Sequence, residues 1–466
     1  MRKNLLLCFV QLFICYCTVA QPAPLPPLPS PQQVKWKETE FYFFIHFGPN
    51  TFTNKEWGEG KEDPALFNPT ALDCRQWARI AKKAGAKGIV LTAKHHDGFC
   101  LWPSKYSTHT VRESPWKNGK GDVVKELSEA CKAEGLLFGI YISPWDRNHP
   151  AYGTPAYNDV YVSTMRELLT GYGKLFELWW DGANGEGPNG KKQVYDFKRF
   201  QDSVFKWQPK VVIFSDIGPG ARWCGNESGF INETNWNLLD TAGFARGLGA
   251  PPTDTLNRGN FNGRNWIPAE VDVSIRPGWF YHAEEDARVK SPDALMKIYL
   301  ESVGRGANLI LNVPPDRRGL INEADSASLV EFGRRLRALT KTNLALHKKA
   351  NLLESGKPLP AAHLTDGNRI TTVASASRTP VFELDFGEVK EFNHVMLQEY
   401  IESGQRVISF TVKYWKDGQW QELAKGTTIG YKRLLKFEKI KTQKLRIEIN
   451  EAKAPVIMSE LSIYNN

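Results

Sequence analysis

Lys174-Leu-Phe-Glu-Leu-Trp-Trp-Asp-Gly182 decides the fold of this chain. It is an apolar run of strand length that ends abruptly at Asp181, Gly182 and Ala183, ahead of a Gly- and Asn-rich loop. A strand buried on both faces reads as a near-continuous apolar run. A carboxylate at the C-terminal end of such a strand stands where a (β/α)8 barrel keeps its chemistry. An Asp at that place can equally cap the following turn. Taken alone, the stretch leaves both readings open.

Outward from it, the same pattern repeats. Strand-like runs cover 41–48, 87–98, 136–146, 210–216, 270–274 and 308–313. Helical periodicity fills the gaps at 71–84, 122–135, 159–172, 192–207, 292–304 and 323–339, with Asp73 near one start and Gly85 as a stop. Strand–helix alternation implies a parallel sheet. The fold class is therefore α/β, a (β/α)8-like TIM barrel over 34–342. Seven strands are legible; an eighth is not, and 231–268, rich in Asn and Gly, reads as long loops. After 343 the pattern changes to short alternating runs separated by turns such as Lys416-Asp-Gly-Gln419, an all-β sandwich over 343–466.

The 466 residues suit one large domain and a smaller one. Residues 1–20 read as a secretory signal. Arg2 and Lys3 precede an apolar stretch too short to span a bilayer, and Thr18-Val19-Ala20 offers a small-residue cleavage site. The expected location is secreted or periplasmic after cleavage near Ala20. Ile14 and Tyr16, bulky residues before Cys15 and Cys17, argue against a lipid anchor. A Pro-rich lead, 21–33, is expected to be extended and poorly ordered. No later stretch is long and apolar enough for a transmembrane segment. Cys74, Cys100, Cys131 and Cys224 lack CxxC spacing, which argues against a disulfide framework or a zinc site. The net charge of +9 is spread along the chain, so nucleic acid is not an expected partner.

The strand ends collect His46, His95, His96, Tyr141, Asp146, Trp179, Asp181 and Asp216, with Glu227 on the loop after the fifth strand. There is no Gly-rich phosphate loop and no Ser nucleophile elbow. Glycoside hydrolysis needs two carboxyl groups across a sugar, hydrogen bonds to its hydroxyls and aromatic rings against its apolar face. Three His with several carboxylates could also form a metal site. Against that, His95 and His96 would point to opposite sides if the strand continued through them.

The ordered motifs His46-Phe-Gly, Glu56-Trp-Gly, Ala93-Lys-His-His-Asp-Gly98, Trp179-Trp-Asp-Gly182, Gly225-Asn-Glu227 and Leu311-Asn-Val-Pro-Pro-Asp316, with Tyr141, resemble glycoside hydrolase family 29, the retaining alpha-L-fucosidases. The Gly-Asn-Glu motif after Arg222-Trp-Cys224 resembles the subfamily acting on alpha-1,3/1,4-linked fucose of branched, Lewis-type glycans. The resemblance implies that Asp181 is the nucleophile and Glu227 the acid/base, on successive strand ends. It implies that His46, Glu56, Trp57, His95, His96, Tyr141 and Trp179 bind fucose, with Trp279 against its methyl group. It implies fucosylated oligosaccharides or glycoconjugates as partners and no required cofactor. A non-catalytic glycan-binding protein on the same scaffold and an alpha-1,2 or alpha-1,6 specificity are the alternatives.

The C-terminal module resembles the discoidin, or F5/8 type C, sandwiches. Leu364-Thr-Asp-Gly-Asn368 fits the turn that often holds calcium in that family, near Asp366. Val373 stands where an aromatic is expected, so the module either binds glycan or buttresses the barrel. The 399–406 loop is a candidate for the active-site rim.

Overall fold

The computed structural model describes residues 21–354 and 356–466. The signal expected over 1–20 lies outside them. Eight parallel strands close a barrel: β1 (Phe41–Ile45), β2 (Gly88–Lys94), β3 (Leu137–Ile142), β4 (Glu177–Trp179), β5 (Val212–Ser215), β6 (Ala221–Trp223), β9 (Ala269–Ser274) and β10 (Asn308–Asn312), with β10 back against β1. Two short strands, β7 (Leu238–Leu239) and β8 (Asn265–Trp266), pair with each other in the excursion between β6 and β9.

The eighth strand of the barrel, missing from the sequence reading, is β6. It has three residues inside a Gly-Pro-Gly turn region, too few for a period of two to register. The strands read as sixth and seventh are β9 and β10. Glu227 therefore follows β6 and not β5, and strand β5 intervenes between the two carboxylates. Arg222 of β6 is fully buried. Its guanidinium donates to the carbonyls of Leu256 (2.9 Å) and Trp236 (3.1 Å), holding the excursion against the barrel.

The helices obey their capping signals. The first predicted helix is Cys74–Ala84, started by Asp73, whose carboxylate accepts from the Arg75 and Gln76 N–H groups, and stopped by Gly85 at φ 91°. The helix expected over 192–207 begins only at Phe197, because Asp196 caps it.

The lead departs from expectation. Residues 31–37 form a helix, α1 (Pro31–Lys37), with a capping box between Ser30 and Gln33. Gln33 donates to the Gly220 and Trp266 carbonyls, and Trp36 joins the aromatic cluster inside the barrel. Upstream, Leu25 N–H donates to Ser403 O (2.9 Å) and Arg406 donates to Ala23 O (2.8 Å), so the lead is seated on the sandwich.

The sandwich is antiparallel, in the order β12 (Lys357–Pro360), β11 (Lys349–Glu354), β14 (Val381–Glu399), β17 (Arg433–Ala452), β15 (Val407–Lys416) and β16 (Gln419–Gly426), with β18 (Ile457–Tyr464) beside β14 and β13 (Val373–Ala374) beside β18. The runs read as separate strands at 381–386 and 391–397 are one bent strand with register shifts after Asp385 and Phe392. Alternate residues Phe382, Leu384, Leu445 and Ile447 fill its core. Val373 is buried in that core and offers no surface platform.

The 399–406 loop does not border the cavity at the barrel mouth. Gln405 instead reaches the β6–β9 excursion, accepting from Asn237 N–H (2.8 Å) and donating to Asn235 O (2.9 Å). All four described cysteines are buried free thiols.

Candidate active site

Strand β4 turns Glu177 and Trp179 into the barrel and Leu178 outward, as a period of two requires. Trp180 points into the helical layer against Phe197. Asp181 thus returns to the inside at the rim. Its Oδ1 accepts from Ala183 N–H (2.8 Å), the turn-capping contact, while its Oδ2 accepts from the Tyr141 hydroxyl (2.9 Å). Both readings of Asp181 are therefore compatible, one per oxygen. Gly182 is required here. A Cβ would lie 2.1 Å from Asp216 Oδ2. Burial, and then the charge of Asp181, push the Asp216 carboxyl up to about 6.

Asp181 borders a cavity of about 190 Å³ at the barrel mouth. This is below the ~300–1,000 Å³ of pockets for drug-sized ligands, and suits a single sugar ring. All ten predicted residues line it: His46, Glu56, Trp57, His95, His96, Tyr141, Trp179, Asp181, Glu227 and Trp279. Phe44, Ala183 and Asp272 complete the wall. Two strand-end candidates lie elsewhere. Asp146 is consumed by a buried ion pair with Lys94 (3.0 Å), and Asp216 sits behind Gly182.

The aromatic floor is layered. Trp179 stacks on Phe214 at 4.0 Å and on Tyr141 at 5.4 Å, and its Nε1–H donates to Glu270 (2.8 Å). On the opposite wall, Trp279 donates from Nε1 to Glu227 (3.2 Å). Burial raises the Glu227 carboxyl above its ordinary value. The Trp279 hydrogen bond opposes this, and the charges of Asp181 and Glu56 add to it.

Strand β2 ends at Lys94, so His95 and His96 are freed from strand alternation and both face the cavity, their rings 4.2 Å apart. Burial keeps His95 and His96 below the usual imidazole range and takes His46 down to about 3, so all three are neutral. The Asn312 amide donates to Ser274 and to Trp279 O, so its oxygen accepts from His46 Nδ1–H (2.8 Å). Ser143 donates to Trp145 O, so its oxygen accepts from His96 Nδ1–H (2.7 Å). In each ring Nε2 is left as an acceptor for a hydroxyl. The 3.7 Å approach of His96 to Asp181 is accordingly no ion pair. Nor do three His, Cys, Asp or Glu side chains among the described residues converge as a metal cage.

Sequence reasoning missed Asn312 and Ser143 as holders of these rings. It also missed His282, which donates from Nε2 to Glu56 (2.5 Å). The Trp279 and Phe280 N–H groups clamp Glu56 further, at 2.7 and 3.2 Å. Glu270 and Asp272 were missed too, although the alternation Glu270-x-Asp272-x-Ser274 in a predicted strand was a usable signal.

Residues 31–341 match the family described as Alpha-L-fucosidase, and residues 348–461 the F5/8 type C domain. The chain belongs to the alpha-L-fucosidase family. Alpha-L-fucosidase 1 of Arabidopsis thaliana is 42% identical over 453 residues, 95% of this chain and 88% of that protein. The crystal structure of SpGH29 superposes with a TM-score of 0.89 at 38% identity, covering 95% of this chain and 99% of that one. A Ruminococcus gnavus GH29 fucosidase in complex with fucose superposes with a TM-score of 0.87 at 30% identity, covering 96% and 97%. The chain is thus an alpha-L-fucosidase of glycoside hydrolase family 29, a family that fucosylated glycans fit as substrates and that needs no cofactor. Among the described residues no helix is long and apolar enough to cross a membrane.

Proposed function

We propose that this fucosidase works with retention of configuration, through a covalent fucosyl-enzyme, on alpha-1,3/1,4-linked fucose of branched, Lewis-type glycans. The observation that carries the mechanism is that two of the cavity's four carboxyl groups, Asp181 and Glu227, stand in unlike surroundings. Asp181 accepts from Tyr141, whereas Glu227 is raised by burial. Unlike environments are what separate an acid from a nucleophile. In the first step Asp181 Oδ2 attacks the anomeric carbon, and the departing glycosidic oxygen takes the Glu227 proton. In the second, Glu227 takes a proton from water, whose oxygen displaces Asp181. His46, His95, His96, Glu56 and Tyr141 bind the fucose hydroxyls. Trp57, Trp179 and Trp279 pack on its apolar faces, Trp279 against the methyl group. The likeness to an R. gnavus fucosidase solved with fucose supports fucose as the sugar.

The linkage preference rests on the Gly225-Asn-Glu227 motif. Fucose release from Lewis-type trisaccharides, 2'-fucosyllactose and an aryl fucoside tests it; faster release from 2'-fucosyllactose than from the Lewis trisaccharides contradicts it. Proton NMR of the first product tests the mechanism, since retention releases the alpha anomer first and inversion the beta.

The leader over 1–20 directs secretion, and a secreted product starting at Gln21 is the corresponding finding; product retained inside the cell at full length contradicts it. In the sandwich, we propose calcium near Asp366, whose Oδ2 also meets His363 Nδ1 at 3.0 Å. Glu460 Oε2 is buried without a partner, and burial followed by the Asp366 charge pushes the Glu460 carboxyl up to about 7. Thr371 adds a hydroxyl oxygen, 2.7 Å from Asp366. Oxygen donors of this kind suit a hard cation, which would serve stability rather than catalysis.

A further inference from the structure

Strand β9 points Glu270, Asp272 and Ser274 into the barrel at successive heights, because alternate residues of a strand share a face. The lowest and highest are occupied. Glu270 takes the Tyr42 hydroxyl and the Trp179 indole, while Ser274 joins Asn312 to the Gly278 carbonyl. Asp272, between them, is different. Its side chain is 3% exposed and borders the cavity that holds Asp181 and Glu227. Its Oδ1 accepts from Trp223 Nε1–H at 3.0 Å. Its Oδ2 has no hydrogen-bond partner among the described residues. Asp272 lines the cavity, and a sugar hydroxyl entering it would give this oxygen the partner that the protein does not supply.

We propose that Asp272 is a further substrate-contacting residue of the fucosidase, its Oδ2 hydrogen-bonded to a hydroxyl of the bound fucose on the Glu227 side of the pocket. The proposal rests on reading the cavity as the fucose site. Three groups make the assignment coherent. Trp223 fixes the plane of the carboxyl. Glu227, four residues beyond Trp223, is the neighbouring acid. Trp279 closes the same wall. Burial, reinforced by the charges of Glu227 and Glu270, holds the Asp272 carboxyl well above the usual range. The protonated form that this favours can donate to a hydroxyl oxygen.

An aryl alpha-L-fucoside and its 2-, 3- and 4-monodeoxy analogues, assayed with wild type, Asp272→Ala and Asp272→Asn, test this. Asp272→Ala is expected to lose about 10- to 100-fold in kcat/KM on the parent fucoside. The loss shrinks on the one analogue that lacks the hydroxyl Asp272 holds. Asp272→Asn keeps an acceptor for Trp223 and a donor toward the sugar, and is expected to stay within about tenfold of wild type. Equal losses on all four substrates overturn the proposal, as does Asp272→Asn falling as far as Asp272→Ala. Should Asp272→Ala not fold, the isosteric Asp272→Asn still reports: a rate ratio that shifts for one analogue supports the contact, and unchanged ratios overturn it. If wild type does not cleave the parent fucoside, the fucose-site reading itself fails and the role of Asp272 falls with it.

Discussion

Asp181 spends Oδ1 on the turn and keeps Oδ2 for the cavity, so its side chain is oriented before any substrate arrives. Removing it removes the nucleophile, and Asp181→Ala is expected to lower kcat by about 10⁴-fold or more; aryl-fucoside turnover near the wild-type rate contradicts the assignment. Glu227→Ala is expected to lose about 10²–10⁴-fold on natural glycans, the range of general acid–base catalysis. With an activated aryl leaving group azide restores turnover by displacing Asp181 from the anomeric carbon, and fucosyl azide is the product to detect. The pH dependence follows in sign. Glu227 acts first as an acid and its carboxyl is raised, so kcat/KM falls as pH rises through a value above that of an ordinary glutamate. Glu227→Gln abolishes that alkaline limb; a limb that survives in the variant belongs to another group. Asp181 and Glu227 were legible because each sits in a contiguous motif. Asn312 lies in the quoted Leu311–Asp316 motif and Asp272 in the strand read over 270–274, but their roles, like that of His282, were not legible, because what they touch lies 33 to 266 positions away along the chain.

Elements that carried a full period were legible, and those that did not were lost. Cys74–Ala84 spans three turns between an Asp cap and a Gly stop; its end was read to the residue and its start, at 71, three residues early. Ala221–Trp223 spans three residues and was missed, which put Glu227 after the wrong strand. The turn after β4 shows how little room such connections leave. Gly182→Ala would drive a methyl into the Asp216 carboxylate and move the turn that orients Asp181. A cost of about 1–3 kcal/mol in stability is expected from the overpacking, together with a fall in kcat; a variant matching wild type in Tm and kcat contradicts the tight fit.

The sandwich and the barrel share buried surface. Trp236, Leu238 and Trp266 of the excursion pack with Ile401 and Tyr431, and Met396, Leu434 and Tyr464 join the barrel's own cluster. Charged contacts cross as well, Lys432 to Glu40 and Arg369 to Glu38. The domain change near 343 was readable from strand spacing, but nothing local revealed that 399–406 and the lead would meet. A fragment of residues 21–342 exposes this surface. It is expected to aggregate or melt well below the full chain in calorimetry, and an equally stable fragment contradicts the shared core. Chelation should act on the sandwich alone. A ligand at a hundredfold excess over its Kd contributes ~2.7 kcal/mol, several degrees in Tm. Excess EGTA is therefore expected to lower Tm while kcat/KM at 25 °C holds; an unchanged Tm removes calcium from the Asp366 site.

Burial lowers all three cavity histidines from the usual imidazole range, His46 to about 3. Their neutrality separates two properties that many sites mix. In the proposed roles, grip on the sugar belongs to rings that burial biases toward the neutral form, and speed to a carboxyl that burial raises. The expected outcome is that alkaline pH lowers kcat more than it weakens inhibition by free fucose, and an inhibition constant that rises in step with the loss of kcat contradicts this division of roles.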